Sequence, residues 1–236
     1  MKLEGKVAVV TGGEGPLGRA VSKKLLQDGA KLVIGWFAAE EWKEAKELLI
    51  DYKGKFVERQ FDATNEEQAA NLMKFANDTY GGIDALVHTV GMFSAGKMLW
   101  ETDATLLQKL IDINFKSGFF CANHAIKYMM EKLRGRIIFF PSVFAIEPPQ
   151  GVGAYSISKA ALVSYIYGLR EDLKGTNITV NGIMPHGINT FKTRSFAGAD
   201  VSKMTLPEDI ADLVSCVCSD EASALSGSLL KVLGGF

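Results

Sequence analysis

Apolar residues fall along the chain in short runs that alternate with longer stretches of helical spacing. Lys6 to Val10 is an apolar run closed by glycines, and a helical pattern follows it to about Asp28. Lys31 to Trp36 then reads as strand, Glu40 to Tyr52 as helix, Lys55 to Phe61 as strand, Asn65 to Tyr80 as helix and Ile83 to Thr89 as strand. Helical patterns from Ala104 to Asn114 and from Phe115 to Arg134 precede a strand at Arg136 to Phe140. A helix from Ala154 to Leu173, a strand from Ile178 to Ile183, a helix starting at Pro207 and a strand from Leu229 to Leu233 complete the series. Alternation on this scale predicts a parallel sheet with helices on both faces, an α/β fold. With no linker, solenoid repeat or low-complexity tract, residues 1–236 are expected to form a single domain.

Two further patterns refine this picture. The helix from Ala154 has Ile157, Ala161, Tyr165 and Leu169 on one face, while Ala160, Val163, Ile166 and Tyr167 cover much of the rest. A helix apolar most of the way round needs a second burying surface, so a homo-oligomer is expected. Asn114 stands among Ile111, Ile113, Phe115 and Phe119. A buried asparagine must be hydrogen-bonded, as a structural bridge or as part of a polar site.

Composition narrows the partners. The 236 residues suffice for a sizeable core, and a net charge of -1 gives no electrostatic case for nucleic acid or an anionic membrane surface. A small molecule is the expected partner. The stretch Met1 to Lys6 lacks the apolar centre of a signal peptide, and no apolar run approaches the roughly eighteen residues of a membrane span. A cytoplasmic protein is expected. The three cysteines, Cys121, Cys216 and Cys218, are odd in number and lack a second ligand pair, which favours buried free thiols over a disulfide framework or a metal site.

Chemistry enters at two stretches. Gly13-Glu14-Gly15-Pro16-Leu17-Gly18 follows the first strand and opens the first helix, the context in which glycines let backbone approach a pyrophosphate at a helix N-terminus. The second stretch runs from Ser142 to Lys159. If a helix begins near Ala154, Tyr155 and Lys159 share one face, and a nearby ammonium would pull the phenol toward neutrality, where it can exchange a proton. The bland alternative is a half-buried tyrosine with a solvated lysine. Asp62, closing the third strand, is placed either to accept from an adenine amino group or to cap the following helix.

Taken together, Gly12, Gly13, Gly15, Gly18, Asp62, Gly91, Asn114, Ser142, Tyr155, Lys159 and Pro185 resemble the short-chain dehydrogenase/reductase family across essentially the whole chain. The resemblance implies a three-layer Rossmann fold with a seven-stranded parallel sheet. It implies an NAD(P)-dependent oxidoreductase that interconverts a carbonyl and a secondary alcohol, and it suggests homotetramers or homodimers. It places a proton-handling tetrad on Asn114, Ser142, Tyr155 and Lys159. Ser142 would bond the substrate oxygen, Tyr155 pass the proton, Lys159 hold the nicotinamide ribose, and Asn114 anchor a water. Cofactor contacts are implied at Gly12, Gly13, Gly15, Leu17, Gly18, Trp36, Asp62, Ala63, Val90, Gly91, Tyr155, Lys159, Pro185, Gly187, Ile188 and Thr190.

The chain departs from the family pattern in places. Pro16 replaces the middle glycine of the turn, His88-Thr89-Val90-Gly91 replaces Asn-Asn-Ala-Gly, and Pro185-His186-Gly187 replaces Pro-Gly. His88-Thr89-Val90-Gly91 resembles enoyl-acyl-carrier reductases, but the Tyr–Lys spacing favours carbonyl chemistry. These departures keep open a non-catalytic dinucleotide-binding sensor or partner subunit. Trp36 holds the position where an acid would take the adenosine ribose. With no Arg or Lys at positions 14–16 or 35–39, and with Glu40 nearby, NAD is expected over NADP. His186 is either a loop histidine or a contact to nicotinamide or substrate, and His124 is read as structural. The substrate lid between Phe191 and Leu206 is short and carries Phe191, Phe196, Ala197, Gly198 and Ala199; nothing in it matches a dedicated carboxylate clamp, although Lys192 or Arg194 could play that part if the lid folded inward. Further walls are expected from Met92, Phe93, Phe144, Ile146 and His186, which together predict an apolar or aromatic ketone or a 3-oxoacyl thioester.

Overall fold

The computed structural model describes residues 2–194 and 201–234, apart from the side chains of Lys192 and Lys203. Seven parallel strands make one sheet: β1 Val7–Thr11, β2 Lys31–Trp36, β3 Phe56–Gln60, β4 Ala85–His88, β5 Arg134–Phe139, β6 Asn177–Pro185 and β7 Leu229–Val232. Their order across the sheet is β3-β2-β1-β4-β5-β6-β7. The helices between them are α1 Pro16–Gln27, α2 Ala39–Glu47, α3 Glu66–Tyr80, α4 Ala104–Ile111, α5 Ser117–Lys132, α6 Gly153–Asp172, α7 Phe191–Arg194 and α8 Pro207–Cys218.

Period-two alternation on the strands divides the core in two. Ala8, Val10, Leu32, Ile34, Ile138 and Ile183 face α1, α2 and α8, meeting Leu25, Trp42 and Val214. Val9, Val33, Leu86, Ile137 and Val180 point the other way, onto Leu72 of α3, Cys121 of α5 and Ile166 of α6. A sheet buried on both faces explains why its strands read as continuous apolar runs. The result is the three-layer Rossmann fold. Its strand order reverses between β1 and β4, and the crevice beyond their carboxyl ends is where such sheets bind ligands.

Several predicted elements change at their edges. The helix read through Tyr52 ends at Glu47 and continues as a 3-10 turn at Ile50–Tyr52. Trp42, Ala45 and Leu49 stay buried throughout, so the inward face runs on across the break. The two helices around Asn114 are joined by a π-turn at Asp112–Lys116. Strand β5 starts at Arg134, because Leu133 takes a left-handed conformation (φ 49) that stops α5. Strand β6 reaches Pro185, two residues past its predicted end. The cysteines are free, Cys121 and Cys218 buried and Cys216 half-buried. Among the described residues no helix is long and apolar enough to cross a membrane.

His88 shows what replaces asparagine at the end of β4. It is buried, with Nδ1 2.8 Å from Thr11 Oγ1 and Nε2 2.9 Å from Ser117 Oγ. Ser117 Oγ donates to the Ile113 carbonyl of the π-turn, so its lone pair is left for a proton on Nε2. The imidazole is therefore the neutral Nε2–H tautomer, accepting from Thr11. Burial and the Lys159 charge push its pKa down to about 3. Above the ordinary value of 6.5 both folded and unfolded chains hold it neutral. As pH falls from 6.5 toward 3, only the unfolded chain takes up this proton, and stability declines by up to about 1.4 kcal/mol per pH unit. His88→Asn should flatten that decline in urea unfolding midpoints measured from pH 7 to 4. Equal slopes for the two proteins would remove His88 from the account.

Candidate active site

β1 ends at Thr11, and Gly12 turns the chain with φ 75 into α1, which starts with Pro16 in its first turn. Proline fits there because that N–H has no helical partner. A Cβ on Gly12 would lie 2.8 Å from Thr89 Oγ1, and one on Gly18 would lie 2.1 Å from the Gly12 carbonyl oxygen. The turn is thus pressed against both the end of β4 and the first turn of α1. Gly13 packs on Ile34 of β2, and Gly15 N–H closes the turn on Gly12 O at 3.0 Å. This cradle and the helix start above it suit a pyrophosphate. Leu17 is buried in the core instead of facing the turn's open side.

Beside the turn opens a cleft of about 830 Å³. Of the sequence candidates, Gly12, Asp62, Ala63 and Val90 line it, together with Glu14, Phe37, Phe61 and Thr64. Its far wall is Ala104, Thr105, Gln108, Lys109, Asp112 and Ile113. Asp62 Oδ1 accepts from Thr64 N–H at 2.8 Å and Thr64 Oγ1 at 2.7 Å, which fixes the carboxyl group at the cleft edge. Two expectations are corrected here. Trp36 does not line the cleft: its ring stacks on Trp42 at 5.9 Å and its Nε1 donates to Glu58. Glu40 is exposed and paired with Lys43, and the cleft carboxylate bonded to the backbone after β2 is Glu14. Strand alternation held the first signal, since Leu32, Ile34 and Trp36 share a face and Phe37 falls on the other.

The tetrad candidates gather at the carboxyl ends of β4 and β5. Asn114 is fully buried: Oδ1 accepts from Met92 N–H at 2.7 Å, and Nδ2 donates to Met92 O and to Ser158 Oγ, each at 2.9 Å. Ser158 in turn donates to the Tyr155 carbonyl at 2.6 Å. Asn114 is therefore the bridge tying the segment after Gly91 to α6, and Ser158 is its other pier, which sequence reading missed. A Cβ on Gly91 would sit 3.2 Å from Lys159 Nζ and 3.3 Å from Asn114 Oδ1, so glycine is what lets these groups close in.

Lys159 is buried, donates to Phe140 O at 2.8 Å and lies 5.9 Å from the centre of the Tyr155 ring. Burial pulls its pKa down to about 8. Tyr155 moves opposite to the sequence expectation. Burial pushes the phenol up to about 12, with the Ser142 hydroxyl drawing it back in part. Desolvation of the phenol outweighs that hydrogen bond. Ser142 is buried, its Oγ accepting from Phe144 N–H at 3.2 Å and donating to Pro185 O at 3.4 Å.

Around Tyr155 the surroundings are aromatic. Phe93 meets its ring edge-on at 5.0 Å, and Phe144 meets His186 at 5.2 Å. Ile146 is exposed. The segment after Pro185 is tied down by Thr205 N–H to Gly187 O (3.0 Å), a parallel bridge of Ile188 to Thr205, and the Thr190 hydroxyl capping Thr193 N–H at 3.1 Å. Arg194 donates to Asn189 Oδ1 at 2.6 Å. Phe196, Ala197, Gly198 and Ala199 lie outside the described residues. His124 lies 3.5 Å from Glu66, away from these groups.

The model of the short chain dehydrogenase family matches residues 6–199. An uncharacterized oxidoreductase of Staphylococcus aureus is 31% identical over 213 residues, covering 90% of each chain. The (+)-cis,cis-nepetalactol synthase NEPS3 of Nepeta racemosa is 30% identical, covering 99% of this chain and 92% of its own. Among solved structures, a short-chain dehydrogenase/reductase of Serratia marcescens superposes with a TM-score of 0.90 at 28% identity, over 100% of this chain and 99% of that one. The strand order, the glycine turn and these likenesses agree, and the chain belongs to the short-chain dehydrogenase/reductase family of oxidoreductases.

Proposed function

We propose that the protein interconverts a carbonyl and a secondary alcohol with a nicotinamide dinucleotide, NAD in preference to NADP, and works as a homo-oligomer in the cytoplasm. The observation that carries this reading is the gathering of buried Ser142, buried Lys159 and half-buried Tyr155 at the open end of the sheet, adjoining the glycine cradle. The dinucleotide would supply or accept the hydride. Gly12, Gly13, Gly15 and Gly18 would hold its pyrophosphate, Asp62, Ala63 and Val90 its adenine end, Lys159 its nicotinamide ribose, and the Pro185, Gly187, Ile188 and Thr190 segment its nicotinamide edge.

The chain's own residues handle the proton. With the phenol held near 12, Tyr155 is neutral at physiological pH, the form needed to protonate a carbonyl oxygen during reduction. The transfer is favourable because an alkoxide is a far stronger base than a phenolate. Ser142 Oγ, oriented by Phe144 N–H, bonds the same oxygen. Lys159 remains mostly cationic at pH 7 and supplies positive charge beside the site. Asn114 and Ser158 keep α6 in place against Gly91, so that Tyr155 and Lys159 do not drift.

Phe93, Phe144 and His186 support an apolar or aromatic ketone, or a 3-oxoacyl thioester whose carrier stays outside, over a sugar. Ile157 and Tyr167, both more than 40% exposed on α6, support the assembly. The non-catalytic reading drew on His88, yet His88 is a buried link between Thr11 and Ser117 that leaves the proton-handling groups in place.

The test is a turnover screen with NADH and NADPH on apolar ketones, diketones, 3-oxoacyl thioesters and sugars, using protein whose mass is fixed by light scattering. Catalytic efficiency should rise with apolar bulk in the ketone series. Highest efficiency on sugars sinks the substrate assignment, a monomeric mass sinks the assembly, and cofactor binding without turnover on any class favours the binder.

A further inference from the structure

The sequence lacks an acid at the end of β2, but the structure delivers one there from the neighbouring turn. Glu14 stands inside the glycine turn and lines the cleft together with Phe37 and Asp62. Its Oε1 accepts from Phe37 N–H at 3.1 Å and reaches Ala38 N–H at 3.5 Å. The carboxylate is thereby fixed on the backbone that follows β2, where the fold expects the group that takes an adenosine ribose hydroxyl. Its other oxygen, Oε2, is buried and has no hydrogen-bond partner among the described residues. A carboxylate oxygen so placed calls for a donor, and a ribose hydroxyl is one.

The neighbouring charges sharpen the choice. Arg19, the cation closest in sequence, is turned away from the role of phosphate ligand by its own bonds. Its Nε donates to Glu14 O at 2.8 Å, and its guanidinium holds Glu41 O at 2.8 Å and the Glu44 carboxylate at 3.2 Å. Among the described residues the cleft lining carries Glu14, Asp62 and Asp112 against Lys109, which stands on the opposite wall. A 2′-phosphate would bring a second negative group onto Glu14, and like charges held in contact are strongly disfavoured.

We propose that Glu14 determines cofactor specificity, accepting from the adenosine ribose hydroxyl through its unpartnered oxygen and excluding a 2′-phosphate by charge. The proposal rests on the dinucleotide reading above and names the residue that decides its phosphate state. Glutamine at this position keeps an oxygen for the Phe37 N–H, removes the charge and turns the ribose-facing acceptor into an N–H donor, whereas arginine reverses the charge.

The experiment is equilibrium titration of NADH and NADPH, followed by nicotinamide fluorescence, on the wild type, Glu14→Gln and Glu14→Arg, with thermal melting of each cofactor-free protein. The wild type should bind NADH at least about tenfold more tightly than NADPH. Glu14→Gln should narrow that ratio by about tenfold and Glu14→Arg should invert it, chiefly by gained NADPH affinity. Should arginine prevent folding, the glutamine variant decides. A folded Glu14→Gln protein with an unchanged ratio overturns the assignment and leaves dinucleotide binding intact, as does a wild type that prefers NADPH. A wild type that binds neither dinucleotide overturns the parent reading itself.

Discussion

Tyr155→Phe should lower turnover by about 10²–10⁴-fold while leaving dinucleotide affinity within about twofold of the wild type. The substitution removes one oxygen and keeps the ring that packs edge-on against Phe93, so the effect isolates the proton. Lys159 is not placed to take over, because Phe140 O anchors its Nζ 5.9 Å from the ring centre. Ser142 cannot either, since a serine hydroxyl is a much weaker acid than a phenol. Single-turnover measurements should show the loss in the chemical step, with both cofactor and substrate bound. A Tyr155→Phe protein that turns over the same ketone at an undiminished rate would show the proton to travel by another route.

The corrected phenol direction bears on that mechanism. A sequence places Tyr155 and Lys159 one helical turn apart but says nothing of where the ammonium spends its hydrogen bond. In the fold the lysine faces a main-chain carbonyl at the end of β5, and both groups lose water together. Desolvation favours the neutral form of each. The phenol thus rises and the ammonium falls, and the pair is set up as a neutral donor beside a cation, not as a preformed phenolate.

What was legible in the sequence followed from locality. The strands, the glycine turn and the Tyr155–Lys159 spacing each lie within one stretch, where periodicity and turn chemistry decide the outcome. The wall from Ala104 to Ile113 was illegible because it meets the turn only through the fold, about ninety residues on. Trp36 was misplaced by a spacing rule that fixes a position and not a side-chain direction, although alternation with Leu32 and Ile34 pointed it toward Trp42. Glu14 lay in plain view within the turn. Its role depends on reaching the backbone of Phe37, twenty-three residues away, a contact that only parallel pairing of β1 with β2 creates.

The glycine turn supplies the second large effect. Gly18→Ala should destabilise the protein by about 1–3 kcal/mol and weaken dinucleotide binding by at least about tenfold. The added methyl would stand 2.1 Å from the carbonyl oxygen and 2.8 Å from the carbonyl carbon of Gly12, both backbone atoms with no rotamer to yield. Gly12 cannot retreat cheaply. Its φ of 75 suits glycine, its carbonyl is closed on Gly15 N–H, and the Thr89 hydroxyl presses on its other side. Either α1 moves outward, losing the packing of Leu17, Val21 and Leu25, or the turn deforms and the cradle is lost. Gly15→Ala is the control within the same fingerprint, since a methyl there meets only Gly12 O at 3.4 Å, ordinary contact. Its melting temperature in the absence of cofactor should match the wild type, whereas that of Gly18→Ala should fall by several degrees. Equal melting temperatures for the two variants would mean that α1 and the turn are not locked together as the geometry requires.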